Sequence, residues 1–488
     1  MNSSTDTICA IATAQGGAIG VIRLSGPEAI AITSAIFRPA GQKVSPAGEN
    51  RQPVHYLKEQ PPYTLTYGHI VDGEEVIDEV LVSLFRAPRS YTGEESTEIS
   101  CHGSAFILQR VMQLLIAAGA RLAKPGEFTQ RAFLNGKMDL SQAEAVADLI
   151  ASTNASTHRM ALSQLRGGFS QELGQLREQL LHFSSLIELE LDFSDHEELE
   201  FADRTELEQL ARQIAERLNH LTTSFHVGNA LKRGIPVAII GETNAGKSTL
   251  LNALVGEERA IVSDIHGTTR DVIEDCVNLS GVTFRFIDTA GIRQTADTIE
   301  SLGIERTFQK IAQAEVVLWM IDASEALKAT SVVQEQGATP SIQELKSRLL
   351  PLCEAKQLLL LFNKSDLLTA AQRSTLSTLF AEVKAPQLFI SAKQQEGLEP
   401  LKAQLLKAAA LPEVSAGDVI VTNIRHYEAL TRALEAIRRV EEGLQMQLSG
   451  DFIAQDIREC IFHLSDIAGE VTTDDVLQNI FSHFCIGK

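Results

Sequence analysis

Pro236-Val237-Ala238-Ile239-Ile240 runs straight into Gly241-Glu242-Thr243-Asn244-Ala245-Gly246-Lys247-Ser248, and the helix-compatible stretch Thr249 to Val255 follows. A short apolar strand, a GxxxxGK[ST] loop and a helix start together form a phosphate-binding loop in its required setting. Glycines let backbone N–H groups close around phosphates, and the helix N-terminus adds positive potential. Lys247 is then placed to reach the β and γ phosphates and Ser248 to hold magnesium. With ordinary composition the pattern arises by chance in roughly 2% of chains this long, so an accidental glycine turn is the weaker explanation.

Downstream, the apolar runs Phe284 to Ile287, Val316 to Ile321, Leu358 to Phe362 and Leu388 to Ile390 alternate with helical patterns. Strand-sized runs without polar alternation predict a mostly parallel sheet covered on both faces, with the nucleotide at the strands' carboxyl ends. Motifs fall where that fold needs them. Asp288-Thr289-Ala290-Gly291 follows one strand, predicting Asp288 near the metal and the Gly291 N–H near the γ-phosphate. Asn363-Lys364-Ser365-Asp366 follows another: Asp366 can accept from guanine N1–H and the exocyclic amine, while Asn363 can bridge N7 and the phosphate loop. Adenine presents the opposite donor pattern, so GTP is selected over ATP by leaving buried polar groups unpaired. Ser391-Ala392-Lys393 puts the Ala392 N–H opposite guanine O6. Between the first two motifs, the loop Ser263-Asp264-Ile265-His266-Gly267-Thr268-Thr269 offers a threonine hydroxyl to complete the magnesium shell, as a switch segment would.

Upstream, Thr7 to about Phe133 reads as mixed α/β, with a strand over Glu75 to Phe85 and a helix over Ser104 to Ala118. From Ser141 to His226 the pattern is helical and acidic, and the same texture returns over His426 to Leu448 and Ile453 to His483. The two helical stretches are expected to pack together, with the α/β region between them as an insertion. The predicted fold class is therefore multidomain α/β plus all-α: 1–137 an N-terminal α/β domain, 138–232 and 412–488 a discontinuous helical domain, and 233–411 an inserted Ras-like P-loop domain.

At 488 residues the chain is long enough for two to four cores. No apolar run approaches the about 20 residues needed to cross a bilayer, and no secretory signal is evident, so a cytoplasmic protein is expected. Six scattered cysteines show no CxxC spacing, and reduced thiols follow. A formal charge of −20 argues against broad, backbone-driven nucleic-acid binding. Any RNA contact must be local or shared with a partner.

Arg23-Leu24-Ser25-Gly26, Lys124-Pro125-Gly126-Glu127-Phe128-Thr129-Gln130-Arg131-Ala132-Phe133-Leu134-Asn135-Gly136-Lys137 and the ending Phe484-Cys485-Ile486-Gly487-Lys488, with GETNAGKS, GTTRD and DTAGIR, resemble the MnmE (TrmE) family over essentially the whole chain. The resemblance implies a GTPase that works with the flavoprotein MnmG to install a carboxymethylaminomethyl or aminomethyl group on the wobble uridine of certain tRNAs. It also implies an N-terminal domain that dimerises and binds 5-formyl- or methylene-tetrahydrofolate. Carried over by position, potassium would be held by Asn244, Ser263, Ile265 and Thr268, and magnesium by Ser248 and Thr269. A monovalent cation against the phosphates can neutralise developing charge as a guanidinium would. Ile292 stands where Ras-like enzymes have a water-positioning Gln. The resemblance gives that role to Glu300, by itself a helix-start carboxylate, and makes Lys247 and Glu300 the catalytic candidates. Folate would be met by Arg23, Glu98, Lys137 and Lys488. Cys485 reads equally as a nucleophile and as a structural thiol. The competing reading is a ribosome-assembly GTPase, which shares every central motif. A potassium-stimulated transport switch is a further rival, disfavoured by the absence of membrane segments.

Overall fold

The structure is a computed structural model and describes residues 6–14, 16–41, 56–192, 204–257, 275–287, 311–331, 342–354, 356–409, 419–471, 473–482, 484 and 487. The chain divides into two compact units. One comprises Met1–Ala147, Gln164–His196 and Ala454–Lys488; the other comprises Asp148–Ser163 and Glu197–Ile453. The helical stretches are thus shared between them.

The first unit is built on a seven-stranded sheet. In chain order its elements are β1 (Ile8–Ile11), β2 (Ile19–Ser25), α1 (Ala29–Ile36), β3 (Phe37–Pro39), α2 (Tyr56–Glu59), β4 (Thr64–Asp72), β5 (Glu75–Phe85), β6 (Ser96–His102), α3 (Ala105–Ala117), β7 (Arg121–Leu122) and α4 (Glu127–Leu134). The spatial order is β3-β4-β5-β6-β2-β1-β7, and only the β1–β7 pairing is parallel. Alternation along β5 explains its layering. Val80, Val82 and Leu84 face a core with Ile22, Leu24 and Ile99 under α1 and α3, while Glu79 and Leu81 stay exposed. The first unit also holds most of α5 (Leu140–Ala151), most of α6 (Ala155–Leu165) falls in the second, and α7 (Gly168–Asp192) is in the first. The expected strand over Glu75 to Phe85 is β5 to the residue, and α3 begins just after Ser104.

In the second unit, α8 (Arg204–Arg233) leads into β8 (Ile235–Ile240), α9 (Lys247–Glu257), β9 (Asp275–Leu279), β10 (Val282–Phe286), β11 (Val316–Asp322), α10 (Ala323–Ser331), α11 (Ile342–Cys353), β12 (Gln357–Asn363), α12 (Ala370–Leu379), β13 (Gln387–Phe389), α13 (Leu398–Ala408) and α14 (Ile424–Gln445). Strand order is β13-β12-β11-β8-β10-β9. All pairings are parallel except the edge hairpin β9–β10. Successive residues of β8 and β11 face opposite cores: Val237, Ile239, Leu318 and Met320 join Leu250, Leu254, Leu401 and Leu405, whereas Ala238, Ile240, Val317 and Trp319 join Leu376 and Phe380. Burial on both faces is why these strands read as unbroken apolar runs. The antiparallel β9 was not anticipated. Its turn, Ser280-Gly281, has φ of 50° and 87°, the left-handed pair of a type I′ hairpin. Helices α8 and α14 pack together as expected, with Phe225 stacked on Tyr427 at 4.5 Å between ring centroids. Helix α15 (Gly450–Ala468) crosses the boundary between the units, and α16 (Asp474–Ser482) belongs to the first.

Candidate functional site

Phosphate-loop residues Gly241 to Ser248 connect β8 to α9. The helix starts at Lys247, inside the motif and two residues before the expected Thr249, so its first turn belongs to the loop itself. Two positions explain the glycines. A Cβ at Gly241 (φ 147°) would lie 2.1 Å from the Met320 carbonyl oxygen, and one at Gly246 (φ 97°) would lie 2.2 Å from Asn363 Nδ2. Both conformations and both contacts exclude a side chain. Asn244 is exposed and left-handed, with φ 65°. Lys247 Nζ donates to the carbonyls of Gly241 (2.8 Å) and Glu242 (2.6 Å), which holds the ammonium over the loop.

Opposite the loop stands the turn after β12. Asn363 is 3% exposed; its Nδ2 donates to the Ala245 carbonyl (2.7 Å) and its Oδ1 accepts from the Ala392 N–H (3.0 Å). One amide thus joins the phosphate loop, the Asn-Lys-Ser-Asp turn and the Ser-Ala-Lys loop, three segments far apart in sequence. The Ala392 N–H was expected to face guanine O6; its hydrogen in fact points to Asn363, and a base would have to share it. Ser391 and Glu396 exchange backbone hydrogen bonds at 3.0 and 3.1 Å, closing that loop and leaving Lys393 exposed. Asp366 is exposed in the 3₁₀ turn Ser365–Leu367.

Sequence reading missed Asp322, at the carboxyl end of β11, whose buried carboxylate meets Lys364. Its carboxyl is held below the usual range: burial works against ionisation, but donors from Lys364, Ser324 and Glu325 outweigh it. Glu242 moves the other way, raised by partial burial and by the charges of Glu325 and Asp322, with Lys247 opposing. The only signal available for Asp322 was that it ends a strand beside the one carrying Asn363.

The expected switch and catalytic residues Ser263, Asp264, Ile265, His266, Gly267, Thr268, Thr269, Asp288, Thr289, Ala290, Gly291 and Glu300 lie outside the described residues, as do Cys485 and Lys488.

In the first unit, Arg23 and Glu98 face each other on β2 and β6. Arg23 Nε and Nη2 both reach Glu98 Oε1, at 2.9 and 2.8 Å. The guanidinium carbon sits 5.5 Å from the Tyr91 ring centroid and 5.8 Å from that of Phe128, two aromatic partners not foreseen. Phe128 lies within the KPGEFTQRAFLNGK segment, so its position was legible though its contact was not. Lys137 Nζ donates to the Pro88 carbonyl at 3.0 Å, on the loop that carries Tyr91. The structure therefore joins Arg23 to Glu98 directly and sets Lys137 against the same loop. Gly487, the neighbour of Lys488, approaches β1: a Cβ there would lie 2.5 Å from the Ile11 carbonyl oxygen. Among the described residues no helix is long and apolar enough to cross a membrane.

A mostly parallel sheet, a glycine-demanding phosphate loop at the end of β8 and an Asn-Lys-Ser-Asp turn bonded to that loop define a P-loop GTPase. Family models reach well beyond this region: "GTP-binding protein TrmE N-terminus" matches residues 7–137 and "MnmE helical domain" matches residues 140–485. A Bacteroides fragilis (strain YCH46) protein named tRNA modification GTPase MnmE is 66% identical over 99% of each chain. The protein of that name from Bacteroides thetaiotaomicron is 64% identical over the same shares. Among solved structures, the FeoB G-domain from Methanococcus jannaschii is 26% identical over 36% of this chain and 98% of that one, with a TM-score of 0.25, too low to carry an argument. The chain belongs to the MnmE (TrmE) family and is a GTP hydrolase.

Proposed function

We propose that GTP hydrolysis by this chain drives tRNA modification: with a flavoprotein partner, MnmG, it installs a carboxymethylaminomethyl or aminomethyl group at C5 of the wobble uridine. The observation that carries this reading is that the likeness to relatives named tRNA modification GTPase runs through 99% of the chain, including the parts that cannot bind GTP. A ribosome-assembly GTPase would share the central motifs alone.

In this reading the phosphates lie over the Gly241 to Ser248 loop, whose shape depends on the close approach of Gly241 to Met320 and of Gly246 to Asn363. Lys247 exchanges its loop carbonyls for phosphate oxygens, and Ser248 with Thr269 would hold Mg2+, which would supply charge neutralisation at the phosphates. Asp366 accepts from the guanine edge, and Asn363 keeps base and phosphate elements in register. Asn244, Ser263, Ile265 and Thr268 would hold K+, which would supply a further positive charge beside the phosphates, and Glu300 would orient the attacking water. The 1–137 segment dimerises and binds a tetrahydrofolate, with Arg23 and Glu98 acting as one dipolar patch and Lys137 and Lys488 as further contacts. Residues 233–411 form the GTPase domain and 138–232 with 412–488 the helical domain of a cytoplasmic enzyme. Cys485 is either a nucleophile or a structural thiol.

The test has two arms. Hydrolysis should rise strongly when sodium is replaced by potassium, as the cation helps join two GTPase domains across a dimer; equal rates remove that mechanism. Mass spectrometry of wobble uridine in a deletion strain should show the modification lost and restored by this chain. Unchanged uridine would end the tRNA assignment.

A further inference from the structure

Asp322 closes β11 in register with Asn363 on the adjacent parallel strand. Its carboxylate, in a residue 3% exposed, divides its two oxygens between two tasks. Oδ1 accepts from the Ser324 N–H (2.9 Å), the Ser324 hydroxyl (2.6 Å) and the Glu325 N–H (3.3 Å), capping the start of α10. Oδ2 accepts from Lys364 Nζ. Lys364 itself has φ 61° and ψ 34°, a left-handed conformation that a residue with a Cβ holds only when its surroundings impose it. The backbone of this turn is held by Asn363, bonded to Ala245 and Ala392, by the Ser365 N–H on the Ile390 carbonyl (3.0 Å) and by Arg373 on the Ser365 carbonyl (2.9 Å); the lysine head is held by Asp322.

We propose that Asp322 is a positioning residue for guanine recognition: by anchoring Lys364 it fixes the strained turn that presents Asp366. The inference rests on the reading of Asn363 to Asp366 as the base-binding element and adds to it the group that keeps that element in shape. A lysine stem held at its backbone by the turn and at its ammonium by a buried carboxylate samples fewer rotamers. The ordering is done before the base arrives, which is how preorganisation raises affinity. Since Asp322 touches no reacting atom, its loss should act on nucleotide retention and base choice and leave the rate at saturating GTP alone. A plain helix cap would act on stability only.

The full chain is used, with release of a fluorescent GDP and competition between GTP and ITP, which lacks only the 2-amino group. Asp322→Asn keeps the side chain's shape but removes the charge and turns a donor toward Lys364. It is expected to release GDP about tenfold faster, the effect of losing one charged hydrogen bond, and to narrow the preference for GTP over ITP. Ser324→Ala, which weakens the cap without touching Lys364, should lower the melting temperature and change neither readout. In a double-mutant cycle, Asp322→Asn should add nothing to Lys364→Met. A wild-type GDP release rate in Asp322→Asn, full additivity with Lys364→Met, or an equal effect of Ser324→Ala would overturn the proposal. If Asp322→Asn does not fold, Lys364→Met alone decides: faster release with narrowed preference supports it, and wild-type behaviour overturns it. An Asp366→Asn variant with undiminished GTP preference would remove the base-binding reading itself, a separate failure.

Discussion

Asn363 Nδ2 and the Ala245 carbonyl oxygen are 2.7 Å apart although the residues are 118 positions apart in the chain. The bond is buried, and the same side chain satisfies the Ala392 N–H. Asn363→Ala leaves both backbone groups without this partner, at about 1–3 kcal/mol each. The variant should be less stable by about 2–5 kcal/mol and bind GDP weakly, as thermal unfolding and calorimetric titration would record. A variant of wild-type stability would mean that water replaces the amide at no cost.

The two ends of α9 respond to alanine in opposite ways. At Gly246 a Cβ would meet Asn363 Nδ2 at 2.2 Å with φ 97°, so Gly246→Ala should push Asn363 away and abolish measurable GDP binding. At Gly256 nothing lies within 4 Å and the residue is helical. Gly256→Ala should stabilise the chain by about 0.5–1 kcal/mol with nucleotide binding unchanged. Denaturant midpoints and GDP titrations separate the pair.

Acid should unfold the first unit through one cluster. Arg131, 4% exposed, meets Asp6, Glu94 and Glu127 at 2.8 to 3.2 Å, and Arg121 adds bonds to Asp6 and Glu127. Burial raises the carboxyls of Asp6 and Glu127, but the arginines outweigh it and both are held below their usual 3.8 and 4.5. A carboxyl lowered on folding contributes stability that is complete above those ordinary values and is lost as pH falls through the lowered ones. Urea midpoints should therefore hold from pH 7 to about 5 and drop steeply below 4, less so in Glu127→Gln. Arg131→Met at pH 7 takes the arginine from Glu94, while Arg121 still pairs Asp6 and Glu127, and should cost about 1–3 kcal/mol.

Arg23→Ala removes one half of the patch with Glu98. If a tetrahydrofolate binds there, calorimetry with 5-formyl-tetrahydrofolate should show affinity at least about tenfold weaker, with GTP hydrolysis by the other unit unaltered. Unchanged affinity would put the folate elsewhere.

Much of the GTPase unit was readable because its elements are local signals. Runs such as Val316 to Ile321 are long enough and apolar enough to admit one interpretation once both faces are covered. The β9–β10 hairpin was not legible, although Val277, Leu279 and Ser280-Gly281 carry its pattern, because β9 is a five-residue edge strand in which Asp275 and Asn278 break the apolar run. Asp322 and Tyr91 were illegible for a different reason. Their partners, Lys364 and Arg23, are 42 and 68 positions away, and no spacing rule connects an aspartate to a lysine on the next strand. Resemblance supplied Arg23 and Glu98 as separate residues; only the register of β2 against β6 makes them a pair.

That pairing alters what an incoming anion would encounter. Arg23 is not a bare charge, since Glu98 already neutralises it at 2.8 Å. The patch therefore exerts little pull at a distance, and a ligand carboxylate would compete with Glu98 for the Nε–Nη2 edge of the guanidinium. Recognition of this kind depends on close fit against Tyr91 and Phe128, and association there should respond weakly to ionic strength. Abundant phosphates and carboxylates, attracted only by charge, would be passed over.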